Sequence, residues 1–167
     1  NALLLAGRRI NIRDEDADYP ALILANYILG SGLNSRLFAR IRGQEGLSYG
    51  VGSSFSVTPT EDNASFQAYA ISAPENTPKV EASFRDEMAK VLKEGFTDAE
   101  IAAAKESWIQ AQQVSRAQDR ELVGRIAGQV HYGRTMAWDA QLQQKVEALT
   151  AQQILQAMRR HFDVSAM

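Results

Sequence analysis

The chain has 167 residues, 45% of them hydrophobic, a formal net charge of -2 and no cysteine. That length suits a single domain spanning 1–167, with a core that buries roughly 70% of the unfolded surface. The faintly acidic balance argues against a nucleic-acid partner, and the missing cysteines exclude disulfides, thiolate zinc ligands and a thiol nucleophile.

The chain begins at Asn1 inside an apolar run without an initiator Met, and reads as a piece of a longer protein. Asn1–Gly7 predicts a buried strand, and the polar stretch Arg8–Tyr19 a loop. Pro20 suits the first turn of a helix over Pro20–Leu29, which Gly30-Ser31-Gly32 breaks. A second short helix, Asn34–Arg42, carries Leu37, Phe38 and Ile41 on one side. The period then changes to two: Tyr49, Val51, Phe55 and Val57 share one face of a strand, with Gly and Ser on the other. Thr58–Asn63 reads as a hairpin connection and Ala64–Ile71 as the return strand.

Beyond Pro74 the pattern is helical. Thr77 followed by Pro78 reads as an N-cap and a helix-start proline, with Val80, Phe84, Met88, Val91 and Leu92 in one stripe and Gly95 as the stop. Thr97-Asp98-Ala99-Glu100 and Thr150-Ala151-Gln152-Gln153 are capping boxes. The first opens a helix with Ile101, Ala104, Trp108 and Ala111 on one face; the second opens a helix with Ile154, Leu155, Met158 and Phe162. Between them, Leu122, Ile126 and Val130 mark one helix, and Leu142, Val146 and Leu149 another. Strands first and helices last predict an α+β fold, an antiparallel sheet with helices packed on one face. The longest apolar stretch, Ala21–Leu29, is too short to cross a bilayer.

Few residues suggest chemistry. His131 and His161 lack partners at zinc-box spacing and read as surface or half-buried helix residues. No Gly-x-Ser-x-Gly elbow is present. Gly30-Ser31-Gly32 resembles half of a dinucleotide fingerprint, but it follows a helix, where the fingerprint needs a strand. Trp108 and Trp138 suit core packing. The arginines cluster at Arg8, Arg9 and Arg13 and again at Arg36, Arg40 and Arg42, and a solvated face accounts for most of them. Arg42 and Tyr49 stand out: a helix, a glycine turn and a strand can bring a guanidinium and a phenol to one surface. Such a pair of donors suits holding a peptide backbone.

Asp18-Tyr19, Ile28–Phe38, Arg42, Glu45–Tyr49 and Val51, with Gly95–Ile101 and Ala148–Ile154, together resemble the C-terminal, zinc-less domain of the pitrilysin/insulinase family of zinc metallopeptidases, which includes the mitochondrial processing peptidases. The resemblance implies a peptidase split between two similar halves. One half carries zinc in a His-x-x-Glu-His box; the other presents an Arg and a Tyr, seven positions apart, to the substrate. Arg42 and Tyr49 have that separation. By this resemblance the chain is a C-terminal fragment, inactive alone. It binds no metal, and Arg42 and Tyr49 hold a peptide or unfolded segment and support the charged carbonyl during cleavage. Zinc then belongs to the N-terminal half or a partner subunit. Exported bacterial relatives point to the periplasm. The family continues into another strand after the last helix, so the sheet is expected to be one strand short. The alternatives are a non-catalytic core subunit or a peptide-binding module of the same fold.

Overall fold

The computed structural model describes residues 1–32 and 34–167, the side chain of 166 excepted. Leu33, part of the Gly-Leu-Asn-Ser motif, lies outside the described residues. Strands β1 (Ala2–Ile10), β2 (Ser48–Val57) and β3 (Ala64–Ser72) form an antiparallel sheet in the order β1-β3-β2. The helices are α1 (Tyr19–Asn26), α2 (Thr77–Glu94), α3 (Asp98–Arg116), α4 (Asp119–His131), α5 (Ala137–Ala148) and α6 (Ala151–His161). Two π-helical segments matter for the site: Tyr27–Ser31 extends α1, and Phe38–Gln44 precedes β2. After α6 the described residues hold a 3₁₀ turn and no further strand.

The α+β architecture follows from where the apolar residues fall. One face of the sheet carries Val51, Phe66, Ala68 and Ala70, all buried. They meet Leu22, Leu24, Val80, Phe84, Met88, Ile154 and Met158 from the helices in one core. The small alanines of β3 leave room for helices over the sheet. Gly30 shows how close the approach is at β2: a Cβ there would sit 2.4 Å from Ser53 Oγ and 2.5 Å from the Ser53 amide nitrogen. The Gly-Ser-Gly stretch is thus a packing device, with Ser53 Oγ also donating to Asn26 Oδ1 at 2.8 Å.

The opposite face is bare. β1 is not the fully buried strand its apolar run predicts, because Leu3 and Leu5 point outward beside Ile71 and Tyr69 of β3. Alternation holds; no layer covers that face among the described residues.

Both capping boxes form. The Thr97 hydroxyl accepts from the Glu100 amide at 3.2 Å while Glu100 accepts from the Thr97 amide at 2.8 Å, and Thr150 and Gln153 repeat the exchange. Gly95 ends α2 at φ +76°, a conformation suited to glycine. Thr77 is already helical, since a 3₁₀ turn at Pro74–Asn76 leads straight into α2, so Asn76 takes the cap position.

Helix α4 forms where Leu122, Ile126 and Val130 mark it, yet none of its residues is fully buried, and Ile126 and Val130 face out. Asp139, buried at the start of α5, demands donors. Arg125 Nη1 supplies one at 2.9 Å and Gln129 Nε2 another at 2.8 Å. The polar side of α4 therefore turns inward. Ala111 of α3 is likewise exposed.

Replacing Gly30 with Ala should destabilise the domain by about 1–3 kcal/mol through overpacking against Ser53. Thermal melting checks it; an unchanged midpoint would show that the Tyr27–Ser31 segment can retreat freely.

Candidate functional site

Arg36, Arg40 and Arg42 lie within one turn-and-a-half of chain, yet they do different work. The sequence reading of a solvated face fails for the first two. Arg36 donates from Nε to Glu100 Oε1 at 2.7 Å and from Nη1 to Glu87 Oε1 at 3.3 Å. Arg40 donates to Glu45 at 3.1 Å, Asp86 at 2.6 Å and Glu87 Oε2 at 3.2 Å. Glu87, only 6% exposed, is shared by both. Glu45 also accepts from Ser83 Oγ at 2.6 Å. Leu37 and Ile41, fully buried, add apolar anchorage. The segment is pinned to α2 and α3 from two sides.

Arg42 is different. It is exposed, and among the described residues it makes no hydrogen bond or ion pair with an acidic group. Its guanidinium carbon lies 5.0 Å from the centre of the Phe38 ring, one helical turn earlier. Stacking on an aromatic face steadies a cation without consuming its donors. The backbone here has i→i+5 hydrogen bonds, such as Glu45 N to Arg40 O at 3.0 Å. Such π turns change which direction each side chain takes, and they recur at functional sites.

Gly46, at φ +63°, then turns the chain into β2. Tyr49 is 63% exposed, although simple alternation puts it on the buried face with Val51. A β-bulge explains the difference. Ser48 pairs with Ser72 and Gly50 with Ile71, so Tyr49 is the extra residue between them. Ser48, 7% exposed, takes the inward position, and Tyr49 is released outward. Val51, Phe55 and Val57 do face the core as expected. Arg42 and Tyr49 therefore lie on consecutive elements, both open to solvent and both at backbone irregularities. Residue types carry no signal for the π turn, the bulge, or the anchoring roles of Glu87 and Glu100. A charge run whose acids lie 46 to 64 residues downstream has no local signature.

Residues 2–107 match the family described as Peptidase M16 inactive domain. The chain belongs to the M16 peptidase inactive domains. A solved M16 inactive domain from Pseudomonas fluorescens superposes with a TM-score of 0.84 at 27% identity, over 98% of this chain and 38% of that one. A protease from Helicobacter pylori gives the same TM-score at 17% identity, over 98% of this chain and 39% of that one, a likeness of fold alone. An uncharacterized zinc protease of Mycobacterium tuberculosis is 29% identical over 142 residues, which cover 84% of this chain. This chain spans 32% of that relative's length.

The family is one of zinc proteases, so the M16 domain's own capacity for zinc can be tested on its residues. Among the described residues, one group of potential ligands gathers, at Asp16, Asp18 and His161. Asp18 is already engaged by Arg160 Nε at 2.8 Å and by His161 Nε2 at 2.8 Å. Arg160 holds the Asp18 carboxyl below its usual range, and its guanidinium donates to both of the carboxylate oxygens that a metal would use. These residues do not fit zinc. They instead tie the start of α1 to the end of α6. His131 is exposed against Tyr132, and Trp108 is in the core while Trp138 lies half-buried under Arg134.

The clamp has a pH signature. The Arg36 guanidinium, helped by the Thr97 amide and hydroxyl, holds the Glu100 carboxyl down at about 2 against the usual 4.5. Because the folded state favours the charged form, this stabilisation is full above about 4.5 and is lost as pH falls toward 2. The urea midpoint of the wild type should exceed that of Glu100→Gln by a constant margin from neutral pH to about pH 5, and the margin should shrink below it. A margin unchanged under acid would refute the clamp.

Proposed function

We propose that this M16 inactive domain is the substrate-holding half of a zinc-dependent endopeptidase, with Arg42 and Tyr49 as the residues that touch the peptide. The observation that carries this reading is a contrast within one short segment. Arg36 and Arg40 are consumed by carboxylates, whereas Arg42 keeps its fork of donors open, and the next strand bulges to turn Tyr49 out to solvent.

The chemistry follows from the donors. A guanidinium presents planar, permanently charged N–H groups that suit the carbonyl oxygens of an extended peptide. A phenol donates one hydrogen bond, and a carbonyl oxygen accepts it more strongly as negative charge grows on it during attack at the carbonyl carbon. Arg42 would thus bind and orient, and Tyr49 would stabilise the charged oxygen or its neighbour. Zinc, supplied by a zinc-bearing half elsewhere in the protein or its complex, would provide the Lewis acid and activated water. The domain by itself would be inactive. A peptide or unfolded segment, which can lie extended, is the substrate class this donor pair serves.

The test uses the complete protein with its zinc-bearing half and a peptide substrate. Tyr49→Phe removes one donor and should lower kcat about 10²-fold, while Arg42→Ala should raise KM and lower kcat/KM by about 10-fold or more. Both variants should melt close to the parent, because neither side chain is buried. Cleavage by both within about twofold of the parent would overturn the reading and favour a non-catalytic core subunit. Peptide binding unchanged in both variants, without cleavage in the parent, would point to a binding module that uses another surface.

A further inference from the structure

Tyr49 owes its exposure to the bulge, and the bulge has its own lock. The Ser48 side chain sits inside the irregularity, with Oγ 2.7 Å from the Gly50 carbonyl oxygen and 2.7 Å from the Ile71 carbonyl oxygen of β3. The Gly50 amide donates back to the same Oγ at 3.2 Å. One hydroxyl thus bridges both sides of the extra residue and the neighbouring strand. These contacts fall at the register shift between Ser48 and Gly50, on backbone groups that flank the extra residue. We infer that Ser48 is a positioning residue, its hydroxyl fixing the bulge that aims the Tyr49 phenol at substrate. This rests on the substrate-holding reading above.

The physical reason is the parity of a strand. Val51, Ser53, Phe55 and Val57 pair with Ala70, Ala68, Phe66 and Ala64 on the core side. Unbroken alternation assigns the next inward place, opposite Ser72, to residue 49. The bulge gives it to Ser48 instead. A one-residue shift is all that separates an outward phenol from an inward one. Without a hydroxyl at 48, the Gly50 amide and the two carbonyls lose this partner, and the bulge is held by the flanking ladder pairs alone. Ser48 opens the same strand as Tyr49 but is buried on the core side, so it acts through Tyr49 and not on the substrate itself.

The experiment is a double-mutant cycle in the complete, zinc-bearing peptidase, with kcat and KM followed separately. Ser48→Ala should lower kcat about tenfold or more with little change in KM, since a catalytic donor displaced by about 1 Å can cost up to about 10²-fold. Ser48→Thr, which keeps the hydroxyl, should restore most of that loss. In a Tyr49→Phe background Ser48→Ala should add less than about twofold, because both act through one phenol. Amide exchange at Gly50 in the same proteins should rise in Ser48→Ala and not in Ser48→Thr, independently of activity. A damaging Tyr49→Phe beside a silent Ser48→Ala would overturn the inference while leaving the substrate-holding reading intact. Equal losses from Ser48→Ala in both backgrounds would also overturn it, as a purely structural effect. A silent Tyr49→Phe would remove both.

Discussion

The Glu87 carboxylate, shared between Arg36 and Arg40, is the constraint on which the site depends. Charge buried at a helix surface is costly unless every charged group finds a partner. Here two guanidiniums and three further acids, Glu45, Asp86 and Glu100, complete the set. Removing Glu87 would leave Arg36 with Glu100 and Arg40 with Glu45 and the exposed Asp86, and would take away the one acid that joins the two arginines. The network therefore fixes the Phe38–Gln44 segment to α2 and α3 more specifically than Leu37 and Ile41 could alone. Apolar contacts tolerate sliding; forked hydrogen bonds with fixed partners do not. The exposed Arg42 projects from a segment that cannot drift.

The same logic runs through the strand that follows. A regular helix followed by a regular strand would have put Tyr49 in the core. Two departures, a π turn at Arg42 and a bulge at Tyr49, lie on consecutive elements, and each has identifiable polar support. The first is held by the arginine–glutamate network and the second by a buried serine hydroxyl. The stretch that bears Arg42 and Tyr49 holds both a π turn and a bulge, while β3 and α2, which support it, are regular. Rigid supports with local exceptions are how a fold holds side chains in place without loosening its core.

Much of this architecture was legible in the sequence, because its signals are local. The 97–100 and 150–153 capping boxes, the Gly95 stop and the apolar stripe of α2 each lie within a few residues, and each formed as read. The change of period at Tyr49 located β2 correctly. What failed was non-local. Periodicity put Tyr49 with Val51, since a bulge has no pattern in residue types. It read Arg36 and Arg40 as solvated because their partners lie on α2 and α3, far along the chain. It also buried β1 on both faces, where Leu3 and Leu5 lie open. The motif that singled out Arg42 and Tyr49 said nothing about why, among the described residues, one arginine of three should lack an acidic partner.

The inverted orientation of α4 has a thermodynamic consequence. A helix normally adheres through its apolar stripe, but this one is tied by Arg125 and Gln129 to Asp139 of α5, and by Arg125 to Gln112 of α3. It contributes no fully buried residue to the common core. Its attachment is thus polar, through side chains of α3 and α5. A helix held in this way is expected to open at lower cost than the sheet-and-helix body, in a fluctuation that leaves that body folded.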